Sequence, residues 1–274
     1  MDKLRFGTAG IPTCTKGDTI QGIKDVRSLN LDSMELEFVH SINIKEEKAI
    51  EVKKTAEKNN IKLTCHAPYF INLNSAEKPK IHASIARIVN SAKITSLCGG
   101  YSVCFHAGFY QGQDPKKVYE KIKENMKEIV KQVKEFDDKI WIRPEISGKI
   151  AQFGDLKELI NLSQDVEQVL PCVDFSHLFA RTLGKNNTYE EFNFILEEIE
   201  KLKKEALNNM HIHVSGIEYG DKGEKHHLIL EESKFNYKDL MKALKEFKVK
   251  GCLTCESPNI EQDAILMQKT YSIV

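Results

Sequence analysis

Eight short runs rich in Val, Ile, Leu and Phe punctuate this chain, and a charged segment with helical periodicity separates each from the next. That alternation limits the fold to parallel βα units. The runs are 4–10 (LRFGTAG), 33–39 (SMELEFV), 61–67 (IKLTCHA), 101–107 (YSVCFHA), 139–145 (KIWIRPE), 169–175 (VLPCVDF), 209–215 (NMHIHVS) and 251–257 (GCLTCES). Of the intervening segments, 115–136 is the clearest helix: Val118, Ile122, Met126, Ile129 and Val133 fall on one stripe, the apolar face of a 3.6-residue period. Asp114 followed by Pro115 gives the capping residue and the proline that start such a helix. Eight units favour closure into a (β/α)8 TIM barrel over an open doubly wound sheet, and 274 residues is an ordinary length for one. No Pro/Ser-rich linker or composition break interrupts 1–274, so one barrel domain is expected.

In such barrels the chemistry lies at the C-terminal rim, where the βα loops converge. Strand three ends on His66, strand four on His106, strand five on Glu145, and strand six on Asp174 with His177 just beyond. Strand seven carries His211 and His213, and strand eight ends on Glu256. Charged and imidazole groups are costly on buried strands unless paired or metal-bound. Six consecutive strands ending this way therefore point to a ring of metal ligands. Imidazole with carboxylate favours zinc, with manganese or iron as alternatives, over a carboxylate-and-water magnesium site. His211 and His213 share a strand face; His211 reads as the ligand and His213 as its support. His40 and His82 read as surface or supporting residues.

Other features narrow the class. Seven cysteines, an odd number scattered over strands and loops, suit a reducing cytoplasm better than a disulfide framework. Cys252 and Cys255 form a CxxC within a strand, where they point to opposite faces and read as packing. Alternation likewise turns Cys65 outward. The apolar runs are too short to span a membrane, and the N-terminus enters a strand with no room for a secretory signal. Forty basic and forty acidic residues cancel; this argues against a general polyanion-coating protein but allows a locally positive site. Neither GxGxxG nor GxxxxGK[ST] occurs, so no nucleotide cofactor is expected.

In order and local context these motifs resemble endonuclease IV, the zinc-dependent apurinic/apyrimidinic endonucleases. The similarity runs over essentially the whole chain: CHAPYFINL around His66, FHAG around His106, PEISGKIAQFG after Glu145, DFSH for Asp174 and His177, MHIH for His211, EKHH, and the strand-eight glutamate. The resemblance implies three zinc ions. His66, His106 and Glu145 would hold the first. Glu145, Asp174, His211 and Glu256 would hold the second, and His177, Glu224 and His226 the third. Glu145 and Glu256 would be catalytic, and Tyr69 would contact DNA. The implied partner is double-stranded DNA with abasic or 3′-blocked sites. A monomer would cut the phosphodiester 5′ to the lesion, leaving a 3′-hydroxyl and a 5′-deoxyribose phosphate. Two departures stand out. Glu224 replaces the family's aspartate, and the loop after strand two (HSINIKEEK) lacks the arginine that the family inserts into DNA. The rival reading is a metal-dependent sugar isomerase or epimerase on the same barrel.

Overall fold

The computed structural model describes residues 1–203 and 205–274. Eight parallel strands form the barrel: β1 (Leu4–Ala9), β2 (Ser33–Glu37), β3 (Lys62–His66), β4 (Ser102–Phe105), β5 (Trp141–Pro144), β6 (Cys172–Asp174), β7 (Met210–Val214) and β10 (Gly251–Cys255). Their order is β5-β4-β3-β2-β1-β10-β7-β6. The two outermost strands meet through parallel bridges at Ile142–Val169 and Glu145–Cys172, which nearly close the ring.

Helices carry the chain back between strands: α1 (Thr19–Ser28), α2 (Glu46–Lys58), α3 (Lys78–Leu97), α4 (Pro115–Lys134) and α5 (Leu156–Asp165). The second half of the barrel adds α6 (Phe175–Arg181), α7 (Tyr189–Glu200), α8 (Tyr237–Glu246) and α9 (Glu261–Ile273). Helix α4 forms where the sequence places it. Asp114 accepts hydrogen bonds from the amides of Lys116 and Lys117, and Val118, Ile122, Met126, Ile129, Val130 and Val133 are buried. Truncating one of these, as in Ile122→Ala, would cost about 2–5 kcal/mol. Among the described residues no helix is long and apolar enough to cross a membrane.

Two local features position the site. The long connection after β7, which the sequence leaves as a loop, folds into an antiparallel hairpin of β8 (Gly216–Gly220) and β9 (Gly223–Leu228). The loop after β5 packs on that hairpin: the Glu224 amide donates to Gly148 O at 3.0 Å. A Cβ on Gly148 would lie 2.7 Å from the Glu224 side chain, so only glycine permits this approach. The barrel interior is not wholly apolar. Glu35, Thr64, Arg143 and His211 are all buried. Arg143 donates to the carbonyls of Pro171 (3.0 Å) and Asn209 (2.6 Å).

Candidate metal centre

Glu145 is the hub of the rim. Its side chain is 1% exposed; Oε2 lies 3.3 Å from His66 Nε2 and 3.7 Å from His106 Nε2. Oε1 lies 3.3 Å from His177 Nδ1 and 3.2 Å from His213 Nδ1. Asp174 ends β6 and also caps α6, accepting from the His177 amide at 2.6 Å, while its Oδ2 sits 3.0 Å from His177 Nδ1. Glu256 Oε1 approaches His213 Nδ1 at 3.4 Å, and Glu224 Oε2 approaches His177 Nε2 at 3.6 Å. Three overlapping donor groups result: His106, Glu145 and His177; His177, Glu224 and His227; and Glu145, Asp174, His213 and Glu256; a fourth joins His66 and Glu145 with Cys104 just beneath them. Within each, the candidate ligand atoms lie within 4.8 Å of one another.

Two histidines differ from the sequence expectation, and backbone register explains both. On β7, His211 pairs across from Cys172 and His213 across from Asp174. Both point inward, but His213 is at the level of the rim carboxylates, and His211 lies two residues deeper, about 6.6 Å along a strand. There His211 Nε2 meets Glu35 Oε2 at 2.6 Å and makes no contact with Glu145, Asp174 or Glu256. On β9, simple alternation would put Glu224 and His226 on one face. A bulge intervenes: Glu224 pairs with Tyr219 and His226 with Glu218, so Lys225 is the extra residue. The bulge resets the alternation. His227, opposite Ile217, joins Glu224 on the inner face, and His226 is exposed. His227 Nε2 lies 3.3 Å from His177 Nε2.

The outer ring nitrogens suit ligation. Nδ1 of His66 faces Ala67 O (2.7 Å), that of His177 faces Ile146 O (3.0 Å), and that of His227 faces Glu256 O (3.0 Å). A carbonyl only accepts, so each Nδ1 donates, and each Nε2 is the atom turned to the rim that can bind a cation once its own proton is displaced. His106 Nδ1 has Ser147 Oγ at 3.2 Å. Metal-bound histidines are held in this way by outer partners. On the acid side, Glu145 Oε2, Asp174 Oδ2 and Glu256 Oε2 are buried without a hydrogen-bond donor. Buried acceptors with unmet capacity beside imidazole nitrogens fit a cation.

The electrostatics are strained in a matching sense. Burial disfavours a charged Glu145, yet the imidazoles of His106 and His213 hold its carboxyl well below the usual range. Burial also opposes a charged His66, but its bond to Glu145 carries it up to about 10. Burial lowers His106 to about 4. Burial, with Glu256 and Glu145 nearby, drives Asp174 well above a normal carboxylic acid against the pull of His177. Cations entering here displace protons, so their binding strengthens as pH rises.

The mouth of the site is aromatic. Tyr69 is 59% exposed, Phe70 67% and Phe109 40%. The Tyr69 ring stands 5.6 Å from the His66 ring and 6.4 Å from that of His40. Burial and the carboxylates of Glu37 and Glu256 push its phenol up to about 12, so the hydroxyl stays a donor at neutral pH. Of the arginines beside this mouth, Arg87 braces Phe70 O at 2.9 Å, and Arg181 is committed to the carbonyls of Ser147, Lys149 and Gln152. His82 is exposed on α3.

Glu35 and Glu37, inward-facing on β2, escaped the sequence reading. The signal was present in the alternation of SMELEFV, which places two acids on one face of a strand.

Residues 23–270 match the family described as xylose isomerase-like TIM barrel. An uncharacterized protein of Methanocaldococcus jannaschii is 44% identical over 98% of this chain and 97% of its own length. A probable endonuclease 4 of Mycoplasma genitalium is 24% identical over 76% of this chain and 71% of its own. Among solved structures, endonuclease IV from Thermus thermophilus superposes with a TM-score of 0.72 at 16% identity, covering 98% of this chain and 97% of that one. A D-tagatose 3-epimerase-like protein gives 0.73 at 17% identity, covering 98% and 96%. At these identities the two structures establish the shared fold, and the chemistry must come from the rim.

Proposed function

We infer the chemistry of this rim from one premise: the chain belongs to the xylose isomerase-like TIM barrel family. We propose that it is a metal-dependent phosphodiesterase of endonuclease IV type, cutting duplex DNA 5′ to abasic sites. The observation that carries this reading is the sharing of Glu145 and His177 among three donor groups. Shared ligands imply ions a few ångströms apart, the arrangement that clamps attacking and leaving oxygens of a phosphate ester. The nitrogen and oxygen donors favour zinc.

In this proposal His66, His106 and Glu145 hold the first ion. Glu145, Asp174, His213 and Glu256 hold the second, and His177, Glu224 and His227 the third. His213 and His227 thus take the roles that the resemblance gave to His211 and His226. Glu145 would then be shared between ions, and Glu145 and Glu256 would be the catalytic carboxylates. Four carboxylates against three divalent ions leave two positive charges, so a chain of zero net charge still offers phosphate a positive pocket. When bound, the ions supply Lewis acidity and lower the pKa of water.

The remaining work falls to the chain. The protonated Tyr69 hydroxyl can donate to a phosphate oxygen. The exposed rings of Tyr69, Phe70 and Phe109 offer faces on which an unstacked sugar or neighbouring base can rest. A nucleotide without its base is cheaper to turn out of the helix, which favours damaged DNA. With Arg87 and Arg181 bound to carbonyls, Tyr69, Phe70 and Phe109 are exposed rings available to enter the duplex.

One observation favours a second reading. Glu145, Asp174, His213 and Glu256 form a complete site for a single ion, and the two glutamates of that set are of the type that transfers protons in a sugar epimerase. The test is to incubate metal-analysed protein with a duplex carrying one abasic analogue, with an undamaged duplex, and with ketohexoses. Chelator-sensitive incision at the lesion with three chelator-removable ions per chain is expected. Epimerisation without incision would overturn the nuclease reading.

A further inference from the structure

One layer below the rim, β4 and β6 turn Cys104 and Cys172 inward against His211 and His213 of β7. Their four ligand atoms lie within 4.8 Å of one another, and all four residues are fully buried. We propose that these side chains form a second, interior site for a thiophilic divalent cation such as zinc, bound by two sulfurs and two nitrogens.

The separations fit. His211 Nε2 and His213 Nε2 are 3.2 Å apart, and Cys104 Sγ lies 3.7 Å from His213 Nε2. A zinc tetrahedron with Zn–N of about 2.0–2.1 Å and Zn–S of about 2.3 Å has N–N edges near ~3.3 Å and S–N edges near ~3.6 Å. The outer nitrogens are occupied in the manner that ligation requires. His211 Nδ1 has Ser102 Oγ at 2.9 Å, and His213 Nδ1 has Glu145 Oε1 at 3.2 Å.

A second observation points to the same spot. Glu35 is 0% exposed, and its two oxygens face the same ring nitrogens, Oε2 at 2.6 Å from His211 Nε2 and Oε1 at 2.9 Å from His213 Nε2. The cluster thus already draws a buried carboxylate, the charge that a cation would meet there. Charge also balances. Two thiolates and Glu35 against one divalent ion leave a single negative charge. Buried Arg143, which has no carboxylate partner among the described ion pairs, supplies one positive charge in the same interior. Loading releases to solvent the thiol protons of Cys104 and Cys172 and the Nε2 protons that His211 and His213 direct at Glu35. His213 then links the layers as an imidazolate shared by two ions, Nδ1 toward the second rim ion and Nε2 toward the interior one, and its negative charge offsets part of the rim's positive charge. Because the cluster is sealed, its ion enters during folding and resists chelators that strip the rim.

Cobalt separates the two layers through Cys172, because Cys104 also lies within 4.8 Å of ligand atoms of His66 and Glu145. Full-length protein produced in cobalt-supplemented medium and dialysed against EDTA should retain one ion per chain and show a thiolate-to-cobalt charge-transfer band in the near ultraviolet. Cys172→Ser alone should diminish that sulfur band, which an ion held by His66, Cys104 and Glu145 would keep. Glu145→Gln should keep that band, and the Cys104→Ser/Cys172→Ser pair should lose both band and ion. Should the double variant fail to fold, X-ray absorption of the native zinc protein decides: sulfur neighbours at about 2.3 Å are expected. Cobalt retained without the band, a band surviving in the double variant, a shell of only nitrogen and oxygen, or a folded chain retaining no ion would each overturn the site. Absence of DNA incision would leave the band in place, so failure of the nuclease reading is distinguishable.

Discussion

His226 and His227 are adjacent on β9, and replacing each with alanine tests whether the bulge at Lys225 decides which one serves the site. His227 Nε2 lies 3.3 Å from His177 Nε2, and its Nδ1 donates to Glu256 O at 3.0 Å. His227→Ala removes one of three proposed donors to the third ion. Removing even an outer partner of a metal ligand costs about 10–100-fold in affinity or activity, so loss of a direct donor should cost at least about 100-fold, near ~2.7 kcal/mol. Losing the bond to the Glu256 carbonyl adds about 0.5–1.5 kcal/mol. A fall in incision rate between about 10² and 10³ follows, in the range seen when one charge-stabilising group is deleted. His226 is exposed, and its removal should stay within about 0.5 kcal/mol, roughly twofold. The assay is single-turnover cleavage of a duplex with one abasic analogue, alongside metal content per chain. The register reasoning fails if His226→Ala loses more activity than His227→Ala, or if His227→Ala keeps both turnover and its full metal count.

Three further outcomes follow from the same geometry. Glu145→Gln removes the carboxylate that faces four imidazoles and should lower incision by about 10²- to 10⁴-fold, because breaking a buried charge pairing costs about 3–5 kcal/mol; native turnover would refute its bridging role. Tyr69→Ala strips an exposed stacking face and should weaken damaged-duplex binding by about 1–3 kcal/mol with little change in the chemical step; unchanged affinity in a titration would dismiss the contact. In chelator-treated protein, Glu37 should impose a pH dependence on stability. Burial and the Glu35 carboxylate raise its carboxyl from 4.5 to about 8, so the folded state keeps a proton that the unfolded state releases. Its stabilisation is therefore full below the lower value and lost toward the upper one, by at most about 1.4 kcal/mol per pH unit. Denaturant titrations from pH 5 to 8 should show Glu37→Gln flattening that decline, and an equal slope in both proteins would contradict it.

The barrel was legible because its signals are local. Each strand reads as a β-branched run, and each helix carries its own stripe and cap, as Asp114 and Pro115 show for α4. The rim was legible for a related reason. A polar residue ending an apolar strand reports its own burial, and His66, His106, Glu145, Asp174, His177, Glu224 and Glu256 all converge at the barrel mouth. What stayed hidden was depth and phase. His211 and His213 have the same face and the same neighbours in sequence; only the stagger of β6 against β7 puts one of them level with Asp174. His226 and His227 differ by one residue, and a bulge with no glycine or proline at Lys225 to announce it reverses which faces inward. Both quantities belong to pairs of strands. A motif such as EKHH or MHIH fixes which residue types are at hand, and the neighbouring strand decides which of two nearby histidines reaches the rim carboxylates.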